Sequence, residues 1–370
     1  MHIVQLANFH GPRSGGIKVA LDELAMRYVA AGHRCTLVIP GDTTEVEGPP
    51  ERRVHRIEAP VVPRLGGYRL ILDRAVVRNV LANDPPDVIE LSDKTTLLGV
   101  CRVPRLAGVP VVLISHERLD AVIPGVMGTN RALAAGVRRF NRRVSSRVDA
   151  VVAASDFAAS EFRDIGDVPI RQVPLGVDLD CFHPVTRPER DGVLHLVAVV
   201  RLSPEKQPGL LVEAVAELVR RGAAVHLDVL GDGPMRTALE TEAVGLPITF
   251  HGHVPDRTRV ATFLASANVA VAPGPSETFG LAALEALATG TPVVVPSGGA
   301  LKELVSHGVG RVAESTGAEF ARAILDVSQW PGAATRQRAR RHAERYTWER
   351  SSALMLNVFN ELRAARAAAA

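Results

Sequence analysis

Cysteine and lysine are scarce in this 370-residue chain, and long apolar runs are missing. The three cysteines, Cys35, Cys101 and Cys181, are widely spaced and form no CxxC or zinc-type pattern. That excludes a disulfide framework and a zinc module, and it suits a reducing compartment. Cys35 and Cys101 lie in or beside apolar segments and are expected as buried thiols. No window approaches the ~20 apolar residues that span a bilayer. The first residues, MHIVQLANF, lack the positive region and apolar run of a secretory leader. The expectation is a cytoplasmic protein that can still touch a membrane. Lysine stands only at positions 18, 94, 206 and 302, so the basic residues are nearly all arginine. The net charge of +3 gives no global electrostatic case for binding nucleic acid.

What is present is a rhythm. An apolar fraction of 46% with 22% charged residues is ordinary for a soluble globular chain, and the length favours two domains over one core. HIVQLA, CTLVIP, DVIEL, VVLIS, AVVAAS and RQVPLG read as strands in the first half. HLVAVV, HLDVLG, ITFHGHV, VAVAP and PVVVP read as strands in the second. Helical patterns lie between many of them, such as Ile17, Leu21, Leu24 and Tyr28. Alternation of this kind predicts α/β architecture with parallel sheets covered on both faces. The segment CFHPVTRPERDG, residues 181–192, interrupts the rhythm. We therefore expect two doubly wound, Rossmann-like domains, 1–182 and 192–345, facing across a cleft, and a closing helix over 346–370. Ligands of such sheets bind at the carboxyl ends of the strands.

The most informative stretch is GPSETFGLAALEALATG, residues 274–290. It reads as a loop after a strand, then a helix ended by Gly290. Leucines at 281, 284 and 287 and the surrounding alanines make that helix apolar all round, hence buried. Glu285 in its middle is a charge that burial penalises unless a partner meets it. Vicinal ribose hydroxyls or backbone N–H groups would serve. Glu277 stands in the loop before the helix start, where free N–H groups near Phe279, Gly280 and Leu281 suit a phosphate. The bland reading makes Glu277 a surface residue and pairs Glu285 with a core arginine.

Four other segments are candidates. In VVRLSPEKQPG, Arg201 and Lys206 end a strand ahead of a helix and could neutralise a diphosphate; solvated loop cations are the alternative. In NFHGPRSGG, Gly15 and Gly16 open a helix N-terminus to an anion, although the GxGxxG dinucleotide fingerprint is absent. His116 follows the strand VVLIS beside Glu117 and would face the cleft, as a site residue or a structural one. Residues 129–147 carry six arginines and no acid. There Leu133, Val137, Phe140 and Val144 form an apolar stripe flanked by Arg138, Arg139, Arg142 and Arg143. Such a helix can lie on anionic lipid, or it can pack in a core with a solvated basic rim.

Together these segments resemble the retaining GT-B glycosyltransferases that include bacterial-type glycogen synthases and phosphatidylinositol mannosyltransferases. The E-x7-E block from Glu277 to Glu285 carries the resemblance. Arg201 and Lys206 precede it, Gly15, Gly16 and His116 match the first-domain loops, and VPLGVD, residues 173–178, matches the segment before the linker. NFHGPRSGG and SHERLD look most similar to actinobacterial enzymes acting on phosphatidylinositol mannosides.

The resemblance implies a nucleotide-sugar site. Glu285 would bind ribose hydroxyls and Glu277 the donor sugar. Arg201, Lys206 and the backbone from Phe279 to Leu281 would hold the diphosphate. Gly16 would close over the phosphates, and His116 would contact the sugar near the reacting carbon. It also implies a metal-independent reaction with no cofactor beyond the donor. GDP-mannose is the preferred donor, ahead of UDP-glucose and UDP-N-acetylglucosamine, and the acceptor would be a lipid or glycan. A nucleotide-sugar 2-epimerase and a non-catalytic sugar-nucleotide-binding subunit are the competing readings. Oligomeric state is not legible.

Overall fold

The computed structural model describes residues 1–11, 15–62, 67–100, 108–118, 131–185 and 192–369. Their elements divide between two compact units. One holds the described residues up to Leu175 together with the helix Trp348–Ala369, and the other is Gly176–Thr347.

The first unit is built on an eight-stranded sheet. Its strands are β1 His2–Leu6, β2 Arg34–Gly41, β3 Glu45–Glu47, β4 Arg52–Glu58, β5 Val88–Leu91, β6 Val111–Ser115, β7 Ala150–Ala153 and β8 Ile170–Gln172. They run in the order β3-β4-β2-β1-β5-β6-β7-β8. Every pairing is parallel except β3 with β4 at the edge. The direction of winding reverses between β1 and β5, which are direct neighbours with Ile3 opposite Val88. On one face lie Val77, Leu81, Val144 and Phe162, buried against β1, β5, β6 and β7. The helix Gly16–Ala30 buries Leu21, Leu24 and Tyr28. Its Tyr28 meets Phe359 of Trp348–Ala369 edge-on at 5.8 Å.

The second unit has the six-stranded order β11-β10-β9-β12-β13-β14. These strands are β9 Leu194–Val199, β10 Val225–Leu230, β11 Ile248–Gly252, β12 Val269–Val271, β13 Val293–Pro296 and β14 Gly310–Ala313. All five pairings are parallel, and the order reverses between β9 and β12. Helices Gly209–Arg220 and Gly317–Ser328 cover one face with Leu211, Leu218, Phe320 and Ile324. Burying each such side chain contributes ~1.5–3 kcal/mol.

Three differences from the sequence reading have physical causes. Strand β4, RRVHRIE, carries too many charges to read as buried, and it is only partly buried beside the edge strand. The division between units falls between Leu175 and Gly176 rather than at 182. Arginines fasten the following segment to the second unit. Arg340 Nη1 donates to the carbonyls of Leu179 (3.2 Å), Phe182 (2.7 Å) and Ala288 (3.1 Å). Arg336 Nη2 donates to Val185 (3.1 Å) and Thr289 (3.3 Å). Finally, Trp348–Ala369 is a part of the first unit. Trp348, Met355, Val358 and Phe359 form its buried stripe, which includes the expected Val358 but leaves Leu354 and Leu362 only half-buried. Cys35 is a buried free thiol, whereas Cys101 lies outside the described residues.

Candidate donor-nucleotide site

In the second unit, the loops after β9 and β12 flank the point where strand order reverses, the place where open α/β sheets bind ligands. The loop after β9 carries Arg201 and Lys206. It is clamped to the turn after β10 by Val200 N–H to Leu230 O (3.0 Å), Leu202 N–H to Asp232 O (3.1 Å) and Met235 N–H to Leu202 O (2.9 Å). Gly231 permits this contact, since a Cβ there would sit 1.9 Å from Val200 O and its φ is +145°. Arg201 is exposed at the carboxyl end of β9, and Lys206 closes a short 3-10 turn, Pro204–Lys206.

Lys206 Nζ donates to Glu277 Oε1 at 2.8 Å, so the two loops meet through a cation and a carboxylate. Both remain accessible, at 23% and 30% exposure. Two residues further on, Phe279 is buried and touches Tyr346 edge-on at 6.1 Å. Gly280 then starts the helix Leu281–Ala288 with φ +100° and no side-chain cap. A Cβ at Gly280 would lie 2.2 Å from Leu301 Cδ2, so both backbone and space demand glycine. The first bond of the helix runs from Leu284 N–H to Gly280 O at 3.1 Å. The N–H groups of Leu281, Ala282 and Ala283 precede it and have no acceptor within the helix.

Glu285 projects from the next turn of this helix and keeps 14% of its side chain exposed. Arg257 Nη2 lies 3.7 Å away, an ion pair longer than a hydrogen bond. The Arg257 guanidinium also sits over the Phe182 ring at 5.3 Å. Burial pushes the Glu285 carboxyl up to about 7; Arg257 opposes that shift and Asp178 adds to it. Asp178 belongs to the segment pinned by Arg340, and its Oδ1 accepts the N–H groups of Asp180 (3.1 Å) and Cys181 (2.9 Å). Glu285 therefore does meet an arginine, but at a distance that leaves its lone pairs open to hydroxyl donors. Asp178 and Arg257 were missed as neighbours of Glu285, because nothing local in the sequence joins three segments so far apart.

In the first unit, Gly15 and Gly16 open the helix Gly16–Ala30 without a side-chain cap. Gly15 is exposed, and a Cβ there would meet nothing within 4 Å. No described neighbour therefore excludes a side chain at this position. His116 follows β6, and its Nε2 shares a hydrogen bond with Ser92 Oγ at 2.9 Å. Burial, with the Lys94 cation adding to it, lowers His116 to about 4. The imidazole is neutral at physiological pH and serves as a hydrogen-bonding group, not a cation.

The basic segment forms a helix, Arg131–Ser145, with Arg138, Arg139, Arg142 and Arg143 all exposed. Its apolar stripe is occupied: Val137 and Val144 are buried, and Phe140 packs against the core. The helix thus has a solvated basic rim, and Leu133 is the stripe residue left half-buried at its start. Residues 129 and 130, and the end of SHERLD at 119–120, lie outside the described residues. No described helix is long and apolar enough to cross a membrane. Among the described residues, no group of three His, Cys, Asp or Glu side chains is placed to hold a metal ion. A separate cavity of about 710 Å³, lined by His195, His226, Asp228, Arg259 and Phe263 among others, contains none of the residues expected from the sequence.

Comparison with known proteins identifies the family and the fold. Residues 194–329 match the family model described as glycosyl transferases group 1. Residues 15–176 match the glycosyl transferase 4-like domain. A GDP-mannose-dependent alpha-(1-6)-phosphatidylinositol dimannoside mannosyltransferase from Mycobacterium tuberculosis is 43% identical over 365 residues, covering 96% of this chain and 95% of the relative. A GDP-mannose-dependent alpha-mannosyltransferase from Mycolicibacterium smegmatis is 30% identical, covering 83% of this chain and 82% of the relative. Neither relative is described as an epimerase. The structure of sucrose-phosphate synthase from Thermosynechococcus elongatus superimposes with a TM-score of 0.81 at 20% identity, over 98% of this chain and 99% of that one. The chain belongs to the group 1, 4-like glycosyltransferases and is a glycosyltransferase of the GT-B fold.

Proposed function

We propose that the protein is a retaining mannosyltransferase that moves mannose from GDP-mannose to a phosphatidylinositol mannoside. The observation that carries the donor site is the convergence of Lys206, Glu277 and Glu285 on one uncapped helix start in the second unit. Glu285 takes the ribose hydroxyls. Arg201, Lys206 and the N–H groups from Leu281 onward hold the diphosphate. Glu277, which pairs with Lys206 in the structure, takes hydroxyls of the mannose. The donor and acceptor for which the relatives are named support GDP-mannose and a mannosylated phosphatidylinositol.

Cleavage of the anomeric C–O bond leaves an oxocarbenium-like sugar and a diphosphate of growing negative charge. Arg201, Lys206 and the helix N–H groups are aimed at that charge before the reaction begins, which lowers the barrier. These cations balance the leaving group without a resident metal, and EDTA is expected to leave the rate unchanged. Retention follows a front-face route in which the departing phosphate accepts the acceptor proton. The neutral His116 imidazole hydrogen-bonds the transferring sugar, and Gly15 and Gly16 let backbone N–H groups approach phosphate. The protein is cytoplasmic and meets its lipid at the membrane surface. Arg138, Arg139, Arg142 and Arg143 supply charge attraction to anionic headgroups.

The test is transfer of radiolabelled mannose from GDP-mannose to phosphatidylinositol dimannoside in vesicles. A labelled lipid product, lost in Lys206→Ala, is expected. GDP-mannose left intact by the wild type, or converted to another sugar nucleotide without acceptor, overturns the reading. Arg142→Glu with Arg143→Glu should reduce sedimentation with anionic vesicles at low salt, and unchanged sedimentation contradicts the membrane contact.

A further inference from the structure

The first unit contains a buried ion pair that none of these roles uses. Lys94 Nζ lies 2.6 Å from Glu161 Oε2, with side chains 10% and 0% exposed. Burying two charges is unfavourable unless the geometry is good and the remaining donors and acceptors are matched. Here they are matched. The three N–H bonds of Lys94 are directed to Glu161 Oε2, to Ser115 Oγ at 3.1 Å and to the Glu117 carbonyl at 2.7 Å. Glu161 Oε2 also accepts from Ser115 Oγ at 3.2 Å, and Glu161 Oε1 accepts from Asn141 Nδ2 at 3.1 Å. The Phe162 ring lies 5.0 Å from the ammonium.

The placement of these bonds is specific. Ser115 and Glu117 are the two residues that flank His116, so one ammonium grips the chain on both sides of the imidazole. Lys94 and Ser92 both follow β5, and Ser92 Oγ is the partner of His116 Nε2. Glu161 and Asn141 come from segments after β7 and before it, so the clamp ties the carboxyl ends of three adjacent strands to one ring. The bonds that satisfy the buried charges are thus the same bonds that hold the chain on either side of the imidazole.

We propose that the Lys94–Glu161 pair is a positioning device for His116, fixing the turn from Ser115 to Glu117 so that the imidazole keeps one orientation during sugar transfer. Lys94 acts through His116 and is not itself catalytic. The inference rests on the role proposed above for His116. Among the described residues, the charged groups tied to this turn are Lys94, its partner Glu161 and the chain neighbour Glu117. Lys94 is the one that opposes protonation of the imidazole.

Lys94→Met alone would leave Glu161 buried without a counter-charge. The informative variant is therefore Lys94→Met combined with Glu161→Gln, compared with His116→Ala. Rates with GDP-mannose and phosphatidylinositol dimannoside are measured across pH, beside thermal melting and a GDP titration. The double variant is expected to fold and bind GDP as the wild type does, because none of the groups proposed to hold the nucleotide bonds to Lys94 or Glu161. Its kcat should fall ~10–100-fold at unchanged donor KM, the scale expected when a reacting geometry slips by about an ångström. Loss of the Lys94 cation should also move the acid limb of kcat to higher pH, and the fall in kcat at unchanged donor KM is the readout that a merely structural pair would not give. Unchanged kcat and pH profile, with His116→Ala impaired, overturns the positioning role alone. Wild-type kcat in His116→Ala overturns both the role of His116 and the inference. If the double variant fails to fold, Ser115→Ala decides: it removes the hydroxyl shared by the pair, and unchanged kcat overturns the proposal.

Discussion

Glu285 in the second unit and Glu90 in the first are both buried carboxyls whose protonation range is pushed up to about 7 by burial. Their surroundings differ. Glu90 is fully buried on β5, and its oxygens accept from Gln5 Nε2 and Tyr28 Oη, each at 3.0 Å. Glu285 keeps part of its side chain open, faces an arginine at 3.7 Å and stands beside an uncapped helix start. A raised carboxyl alone does not mark a ligand site, because structural networks raise carboxyls too. What separates the two is accessible acceptor capacity: that of Glu90 is taken up by Gln5 and Tyr28 as donors, whereas Glu285 can still receive hydroxyls.

Substitution should split the pair most sharply in binding. Glu285→Ala is expected to weaken GDP by ~100-fold, the scale of losing two hydrogen bonds to a charged acceptor, and Glu90→Gln should leave GDP affinity unchanged. Calorimetric titration of both variants checks this, and equal losses would erase the distinction. Stability should behave differently, with both residues acting in one direction. A carboxyl whose folded value lies near 7, against 4.5 ordinarily, is protonated in the folded chain while ionised in the unfolded one. Stability therefore falls as pH rises from about 4.5 to 7 and is level above. Glu90→Gln should remove that decline and raise stability at pH 8 by up to ~3 kcal/mol, read by denaturant unfolding at several pH values. A smaller effect concerns the pH dependence of binding. Ribose hydroxyls donate to the ionised form of Glu285, so GDP affinity should weaken by up to ~10-fold per pH unit below about 7. That limb should vanish in Glu285→Gln and persist in Glu90→Gln.

The same contrast shows why only part of the molecule was legible in its sequence. Glu285 is conspicuous because every neighbour in LAALEALA is apolar, and helical periodicity then places it inside. Glu90 sits in DVIEL, where a polar residue in a short strand carries no such signal, and its partners Gln5 and Tyr28 are distant in sequence. The apolar parallel strands were readable from composition, but β4 was not, because edge exposure tolerates its arginines. Loops at strand ends located Arg201, Lys206, Glu277 and His116. The residues that hold them, Gly231 under the Arg201 loop and Lys94 beside His116, depend on contacts between loops that no local pattern encodes. Arg340, which pins Leu179 and Phe182 through backbone carbonyls, is hidden for the same reason: carbonyl acceptors leave no trace in residue identity.

The central claim is that the second unit reads the donor nucleotide through Glu285. Its most direct test is a calorimetric titration of wild type and Glu285→Gln with GDP at pH 8, where the wild-type carboxyl is ionised. The account predicts saturable binding by the wild type and a loss of about two orders of magnitude in the variant, with its fold intact by thermal melting. Equal affinity in a folded Glu285→Gln protein would contradict it.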